Sequence, residues 1–323
     1  MLPSLGLITL GLTLLVAGGE ALLRGAVGLA SWLRLTPAVI GLTVVAAGTS
    51  VPELAVSGVA AYEGSADIAV ANVVGSSIFN ITIVLGLCAL VRPLAITGNT
   101  IKLEYPVLVI VTLLCLAIAH DGEISRLDAS LCVAVYVGFT TYLVSLVRRE
   151  VTTRETKELE TEVSKLSSSD EPPSVWACAA LVAGGAALLA IGAHATVTGA
   201  SELARLLGWS ERVIGLSIVS IGTGLPELVA SLVSSLRGRS DVAIGNLIGS
   251  NLFNILGILG LSALVAPLPV QAALIRSDMW WMLGVTLLLF PIMLTGLRVG
   301  RREGGLLSVT YCVYLGLLLT QQT

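Results

Sequence analysis

Long apolar runs separated by short polar breaks set the pattern of this chain. Runs of membrane-crossing length fall at 4–30, 36–61, 67–91, 103–120, 127–147, 175–204, 211–235, 242–265, 279–297 and 305–321, because roughly 20 apolar residues of helix span the hydrocarbon core. The pattern predicts an all-α polytopic membrane protein with ten transmembrane helices. The first and sixth runs are long and broken by polar residues, Glu20 and Arg24 in one and His194 in the other. Both are expected to tilt or to emerge at one end. The only long polar connection, 148–174, is rich in Glu, Lys, Arg and Ser and lacks apolar periodicity. It divides a first five-helix unit (1–147) from a second (175–323) and is too short to fold as a regulatory domain.

The two units repeat each other. Shifted by 174 positions, residues 41–87 overlay the second half without a gap, with 22 of 47 positions identical. The identities include Gly48/Gly222, Thr49/Thr223, Pro52/Pro226, Glu53/Glu227, Asp67/Asp241, Gly75/Gly249, Ser76/Ser250, Phe79/Phe253 and Asn80/Asn254. A weaker echo precedes them at Gly25-Ala26 and Gly199-Ala200. Five spans per repeat is an odd number, so equivalent spans must cross the bilayer in opposite directions. The expected architecture is an inverted-topology repeat about a pseudo-two-fold axis in the membrane plane, as secondary transporters use.

Composition agrees with this pattern: 55% of residues are hydrophobic, 12% are charged and the mean hydropathy is +0.94, values outside the range of soluble domains. The placement of charge matters more than its net value. With the N-terminus outside, inward connections carry 14 of the 18 Lys and Arg residues and outward ones carry 4. The excess predicts both termini outside and the 148–174 loop in the cytoplasm of a plasma (inner) membrane protein. No basic patch with interleaved aromatics points to nucleic acid. Five cysteines in apolar runs, without metal-ligand spacing, read as small buried hydrophobes. Trp280-Trp281, flanked by Met279 and Met282, reads as an interfacial belt, and no cleavable signal peptide is expected.

The candidate chemistry lies at the repeat. Each copy carries a carboxylate in mid-span, in Gly48-Thr49-Ser50-Val51-Pro52-Glu53 and Gly222-Thr223-Gly224-Leu225-Pro226-Glu227. A glutamate in hydrocarbon is costly and usually functional. Gly and Pro in the same turn weaken the helix and free backbone carbonyls. A second cluster follows, Gly75-Ser76-Ser77-Ile78-Phe79-Asn80 and Gly249-Ser250-Asn251-Leu252-Phe253-Asn254. Thr49 and Glu53 are four apart and share a helix face, as do Ser76 and Asn80. Brought together, the four broken helices gather two carboxylates, two amides and several hydroxyls. Such a set suits a hard cation, and without His, Cys or Met it argues against zinc, copper or iron. One Ca²⁺ balances the two carboxylates, and so do two Na⁺. Ions that use the same oxygens exclude each other, which is what antiport requires; protons also compete for a buried carboxylate. Elsewhere simpler roles suffice: Asp67 and Asp241 as first-turn residues, Glu20 as partner of Arg24, His194 as a lining residue.

With both motifs in view, the chain resembles the sodium/calcium exchanger family, prokaryotic type, within the cation/Ca²⁺ antiporters. The motifs at 48–53, 75–80, 222–227 and 249–254 look like that family's two alpha-repeats. The resemblance implies that Glu53 and Glu227 are shared ligands of Ca²⁺ and Na⁺, and that Thr49 and Thr223 add backbone or hydroxyl oxygens. It implies flanking Na⁺ sites completed by Ser50, Ser76 and Ser250 with carbonyls near Ala46 and Ser220, a central position lined by Asn80 and Asn254, and first and sixth helices that slide across a rigid core. Two positions depart from the family pattern: Gly224 stands where Ser is frequent, and Asn254 where many members carry Asp.

The expected function is therefore Ca²⁺/Na⁺ antiport by alternating access, with Ca²⁺/H⁺ antiport on the same scaffold as the alternative and a cation channel as a more distant one. No nucleophile with its base is visible, so the chain is not expected to be an enzyme. No prosthetic group is expected. The expected partners are the two ions and the lipid bilayer, and the expected state is a monomer.

Overall fold

The computed structural model describes residues 2–64, 66–150, 174–207 and 220–321. Most of the polar loop and the start of the expected 211–235 span, including Arg212, lie outside the described residues. The chain runs α1 (Leu2–Leu33), α2 (Pro37–Thr49), α3 (Val51–Tyr62) and α4, which begins as Ala66–Phe79 and passes through a π turn at Asn80–Val84 into Leu85–Val91. β1 (Leu94–Ala95), α5 (Thr100–Ala119), β2 (Glu123–Ile124) and α6 (Arg126–Glu150) complete the first half. The second half comprises α7 (Val175–Leu206), α8 (Ser220–Thr223), α9 (Leu225–Leu236) and α10, which runs from Ser240–Leu252 through a π turn at Phe253–Ile258 into Leu259–Val265. β3 (Leu268–Pro269), α11 (Leu274–Leu294), β4 (Arg298–Val299) and α12 (Arg301–Gln321) follow.

The fold is that of an all-helical polytopic membrane protein. Among the described residues seven helices are long and apolar enough to cross a bilayer, or eight if the bent pair α2–α3 is one span. Large apolar side chains such as Leu10, Val16, Leu131 and Trp176 cover the outer surface, where lipid takes the place of water. α1 and α7 each have 32 residues, about 48 Å of helix. That exceeds the roughly 30 Å hydrocarbon core, so tilt or emergence at one end follows.

α1 and α7 run antiparallel along a glycine seam. A Cβ on Gly18 would lie 2.9 Å from the Gly185 carbonyl oxygen, and one on Gly192 would lie 2.8 Å from that of Gly11. Gly25 meets Cys178, and Gly199 meets Ser4. Small residues allow this approach, and lipid gives helices little other reason to associate. Elsewhere the halves exchange partners. β1 pairs antiparallel with β4, and β2 with β3. Gly86 of α4 packs on Gly304 and Ser308 of α12, and Gly260 of α10 packs on Ala129 and Val133 of α6.

Some sequence expectations need adjustment. The run at 36–61 is bent by 49° at Ser50. Four cysteines are buried as expected, but Cys312 is exposed on the outer face of α12, where its weakly polar thiol meets lipid. Trp280 is exposed as a belt residue should be, whereas Trp281 packs on Tyr314. Glu20 does bond Arg24, but it also receives two hydrogen bonds from Arg237 beyond the end of α9, at 2.9 and 3.0 Å. Asp241 stands in the first turn of α10 and pairs with Arg239.

Candidate functional site

The two helix breaks build the site. Ser50, between α2 and α3, has φ −85° and ψ 11°; Gly224, between α8 and α9, has φ −85° and ψ 2°. Pro52 and Pro226 lack an N–H, so the carbonyls of Gly48 and Gly222 receive no helical hydrogen bond from them. Each break is followed by a fresh 12-residue helix with its glutamate in the first turn. There the unpaired amides and the helix dipole favour negative charge.

The carboxylates come from different halves and face one volume. Glu53 and Glu227 are each 1% exposed and close enough to repel each other. The Ser50 hydroxyl reaches across the halves and donates to Glu227 Oε1 at 2.9 Å. Thr49 shares its hydroxyl proton between the Ala46 carbonyl at 3.2 Å and Asn246 Oδ1 at 3.3 Å. The amides Asn80 and Asn254 are fully buried and stand in two of the π turns, at Asn80–Val84 and Phe253–Ile258. π turns widen the helix locally and recur at functional sites.

The site contains many polar atoms without partners. Glu53 Oε2, Glu227 Oε2, Asn80 Nδ2, both amide atoms of Asn254 and the Ser250 hydroxyl are buried and make no hydrogen bond. Each such group costs about 1–3 kcal/mol, and charged ones cost more. Native structures keep few of them. A cluster of unpaired oxygens carrying two formal negative charges is a fit for hard cations, which a carboxylate–hydroxyl–amide set binds by oxygen alone.

Among the sequence candidates, Glu53, Glu227, Ser50, Thr49, Asn80, Asn254, Ser76 and Ser250 are all buried. Thr223 closes α8 and Ser220 opens it. The Ala46 carbonyl is not loose: it accepts from both the Ser50 N–H and the Thr49 hydroxyl. Sequence reasoning did not single out a supporting pair in each half. Asn72 Nδ2 donates to Ser57 at 3.0 Å and to the Glu53 carbonyl, while Asn246 Nδ2 donates to Ser231 at 2.9 Å. These amides tie the glutamate-bearing helices α3 and α9 to α4 and α10. Both Asn72/Asn246 and Ser57/Ser231 are identical under the 174-residue shift, which was the available signal.

Comparison with known proteins gives consistent matches. The family model described as "Sodium/calcium exchanger protein" matches residues 3–145 and again 178–320. The putative antiporter CaxA of Alkalimonas amylolytica is 38% identical over 323 residues, covering 99% of this chain and 100% of that protein. The sodium/calcium exchanger MaX1 of Methanosarcina acetivorans is 32% identical, covering 97% of each. Among solved structures, the sodium-calcium exchanger NCX_Mj superposes with a TM-score of 0.82 at 30% identity, covering 98% of this chain and 99% of that one.

Proposed function

The chain belongs to the sodium/calcium exchanger protein family, and from that membership we propose that it exchanges Ca²⁺ for Na⁺ by alternating access at Glu53 and Glu227. One observation carries the site assignment: two buried carboxylates from opposite halves, each with an unpartnered oxygen, share one volume. Their charge is satisfied by one Ca²⁺ or two Na⁺, and the same oxygens cannot hold both loads. Loading with one ion therefore requires release of the other. Thr49, Thr223, Ser50, Ser76, Ser250, Asn80 and Asn254 complete the oxygen set, with backbone oxygens near Ala46 and Ser220. Membership is in a transporter family rather than one of catalysts, and the ions are cargo rather than cofactors.

The architecture we propose is ten helices in two inverted five-helix units, 1–147 and 175–323, joined by a cytoplasmic loop at 148–174, with both termini outside and the protein acting as a monomer. The support is geometric. α3 recurs as α9, and β1 as β3, under the same 174-residue shift. The equivalent helices α1 and α7 run antiparallel, and the two-residue ladders pair each half with the other. A two-fold relation in the membrane plane accounts for all of these, and it allows one half to open the site inward and the other outward.

The test is ⁴⁵Ca uptake into proteoliposomes under an imposed Na⁺ gradient at fixed pH. Uptake driven by Na⁺ alone is expected. Uptake that needs a pH gradient and ignores Na⁺ would replace this reading with Ca²⁺/H⁺ antiport.

A further inference from the structure

α1 is seated on α9, and the seat has an uncovered mate elsewhere in the molecule. A Cβ on Gly19 would lie 3.2 Å from Val233 Cγ2 and 3.3 Å from Val229 Cγ1. One residue on, Glu20 accepts two hydrogen bonds from Arg237, at 2.9 and 3.0 Å. An apolar seat and an ion pair together hold α1 to the end of α9. Shifted by 174 positions, the same set is Ala193 and His194 on α7, with Ala55 and Val59 on α3 and Glu63 just after it. There the seat is bare. Ala55 and Val59 are exposed, Val59 at 55%. His194 and Glu63 are exposed too, and neither side chain makes a hydrogen bond or ion pair with the described residues.

The inference that follows rests on the alternating access proposed above. A two-fold relation between the halves makes the two seats alternatives, one for each direction of opening. α1 and α7 are packed backbone to backbone along the glycine seam, so a movement that lifts α1 from α9 carries α7 with it towards α3. We propose that Ala55 and Val59 are the seat α7 takes when the site opens the other way, and that His194 and Glu63 are its latch. The two latches differ in chemistry. Arginine is charged at every working pH, whereas a histidine side chain ordinarily gains its charge only below about pH 6.5. The Glu20–Arg237 latch is therefore always available, and the His194–Glu63 latch closes in acid. On the orientation proposed above it faces outside, so external acid favours the state open to the inside. Among the described residues, few other charges lie on the elements packed against α7. Glu20 and Arg24 of α1 stand towards the other end of the seam, Glu53 and Glu227 are buried in the site, and Arg237 is held by Glu20. Glu202 and Arg205 are farther along α7 itself. Glu63 is the carboxylate that the repeat assigns to His194.

Disulfide trapping tests this, because Ala193→Cys and Val59→Cys can join only when α7 occupies the seat on α3. The pair is placed in a Cys312→Ser background, which removes the exposed thiol. Cross-linking rates in proteoliposomes are compared at about pH 7.5 and about pH 5.5, on either side of the ordinary histidine value. Each rate is divided by that of the same protein carrying His194→Ala, which cancels the effect of pH on thiol chemistry. The ratio is expected to be about one at the higher pH and to rise roughly two- to fivefold at the lower, the span that an exposed ion pair provides. His194→Arg should raise the ratio at both pH values, and Glu63→Gln should remove the rise. Ala193→Cys with Ala55→Cys is read in the same way should the first pair fail to fold. A ratio that ignores pH would overturn the proposal, as would a rise retained in Glu63→Gln or folded pairs that never cross-link. Na⁺-driven ⁴⁵Ca uptake by the wild type is measured alongside. Its absence would remove the exchanger reading, whereas its presence with a flat ratio removes the latch alone.

Discussion

At the scale of single residues, the decisive quantity is uncompensated charge. Two carboxylates held away from water and near each other raise the energy of the ion-free protein, and a bound cation relieves it. Glu53→Gln and Glu227→Gln should each abolish Na⁺-driven ⁴⁵Ca uptake and also remove the rise in Tm in detergent that Ca²⁺ binding is expected to give the wild type. Retained uptake in either variant would take that residue out of the site. Ser50→Ala should act more mildly. It deletes the donor to Glu227 Oε1, a loss of about 1–3 kcal/mol, so the Na⁺ concentration for half-maximal exchange should rise about tenfold. Residue by residue, the glutamates and their hydroxyl neighbours are legible in sequence because a carboxylate in an apolar run has few bland explanations. Asn72 and Asn246 are not, because a lone amide in a helix reads as packing.

At the scale of elements, the breaks at Ser50 and Gly224 follow from Pro52 and Pro226; Gly and Pro in one turn mark the weakened stretch in the sequence, but not the residue at which the helix bends. The π turns that hold Asn80 and Asn254 leave no such mark, because hydrophobic periodicity over five residues does not separate a π turn from an α turn. Contacts between elements are equally hidden. Glu20 reads as a partner of Arg24, yet it also ties α1 to the end of α9 through Arg237. The repeat-equivalent positions hold His194 and Glu63. The tie is largely solvent-accessible, so Arg237→Ala should change stability by no more than about 1 kcal/mol. Its effect should fall on movement of α1 against α9. The maximal exchange rate is expected to change while the Ca²⁺ concentration for half-maximal rate does not, as measured by initial ⁴⁵Ca fluxes.

At the scale of the whole molecule, neither half is complete by itself. The first half supplies Glu53 and the donor to Glu227, while the second supplies Glu227 and the amide that receives Thr49. Among the described residues, both two-residue ladders join one half to the other. Residues 1–147 or 175–323 expressed alone should give no Ca²⁺ transport, and the two co-expressed as separate chains should restore it. Activity from either half alone would contradict the shared site. The repeat and its 174-residue period are legible in sequence because identities survive in register. The exchange of partners between halves is not, since a repeat states which segments are alike and not which of them touch.

The glycine seam between α1 and α7 carries a consequence of its own. Gly18 meets Gly185, Leu188 and Leu189; its mate Gly192 meets Gly11, Leu14 and Leu15, each of these 174 positions below its counterpart. Contact of this reciprocal kind is the signature of an isologous interface, in which one surface recognises a second copy of itself. The seam is a homodimer contact carried inside a single polypeptide, and a protein of one half, inserted in both orientations, would possess it already. Such a surface should respond to mutation in matched pairs. Gly18→Ala and Gly192→Ala should lower stability by similar amounts, about 1–3 kcal/mol each, as read from thermal unfolding in detergent. Unequal losses would mean that the two faces of the seam have diverged, as the repeats have at Ser50 and Gly224.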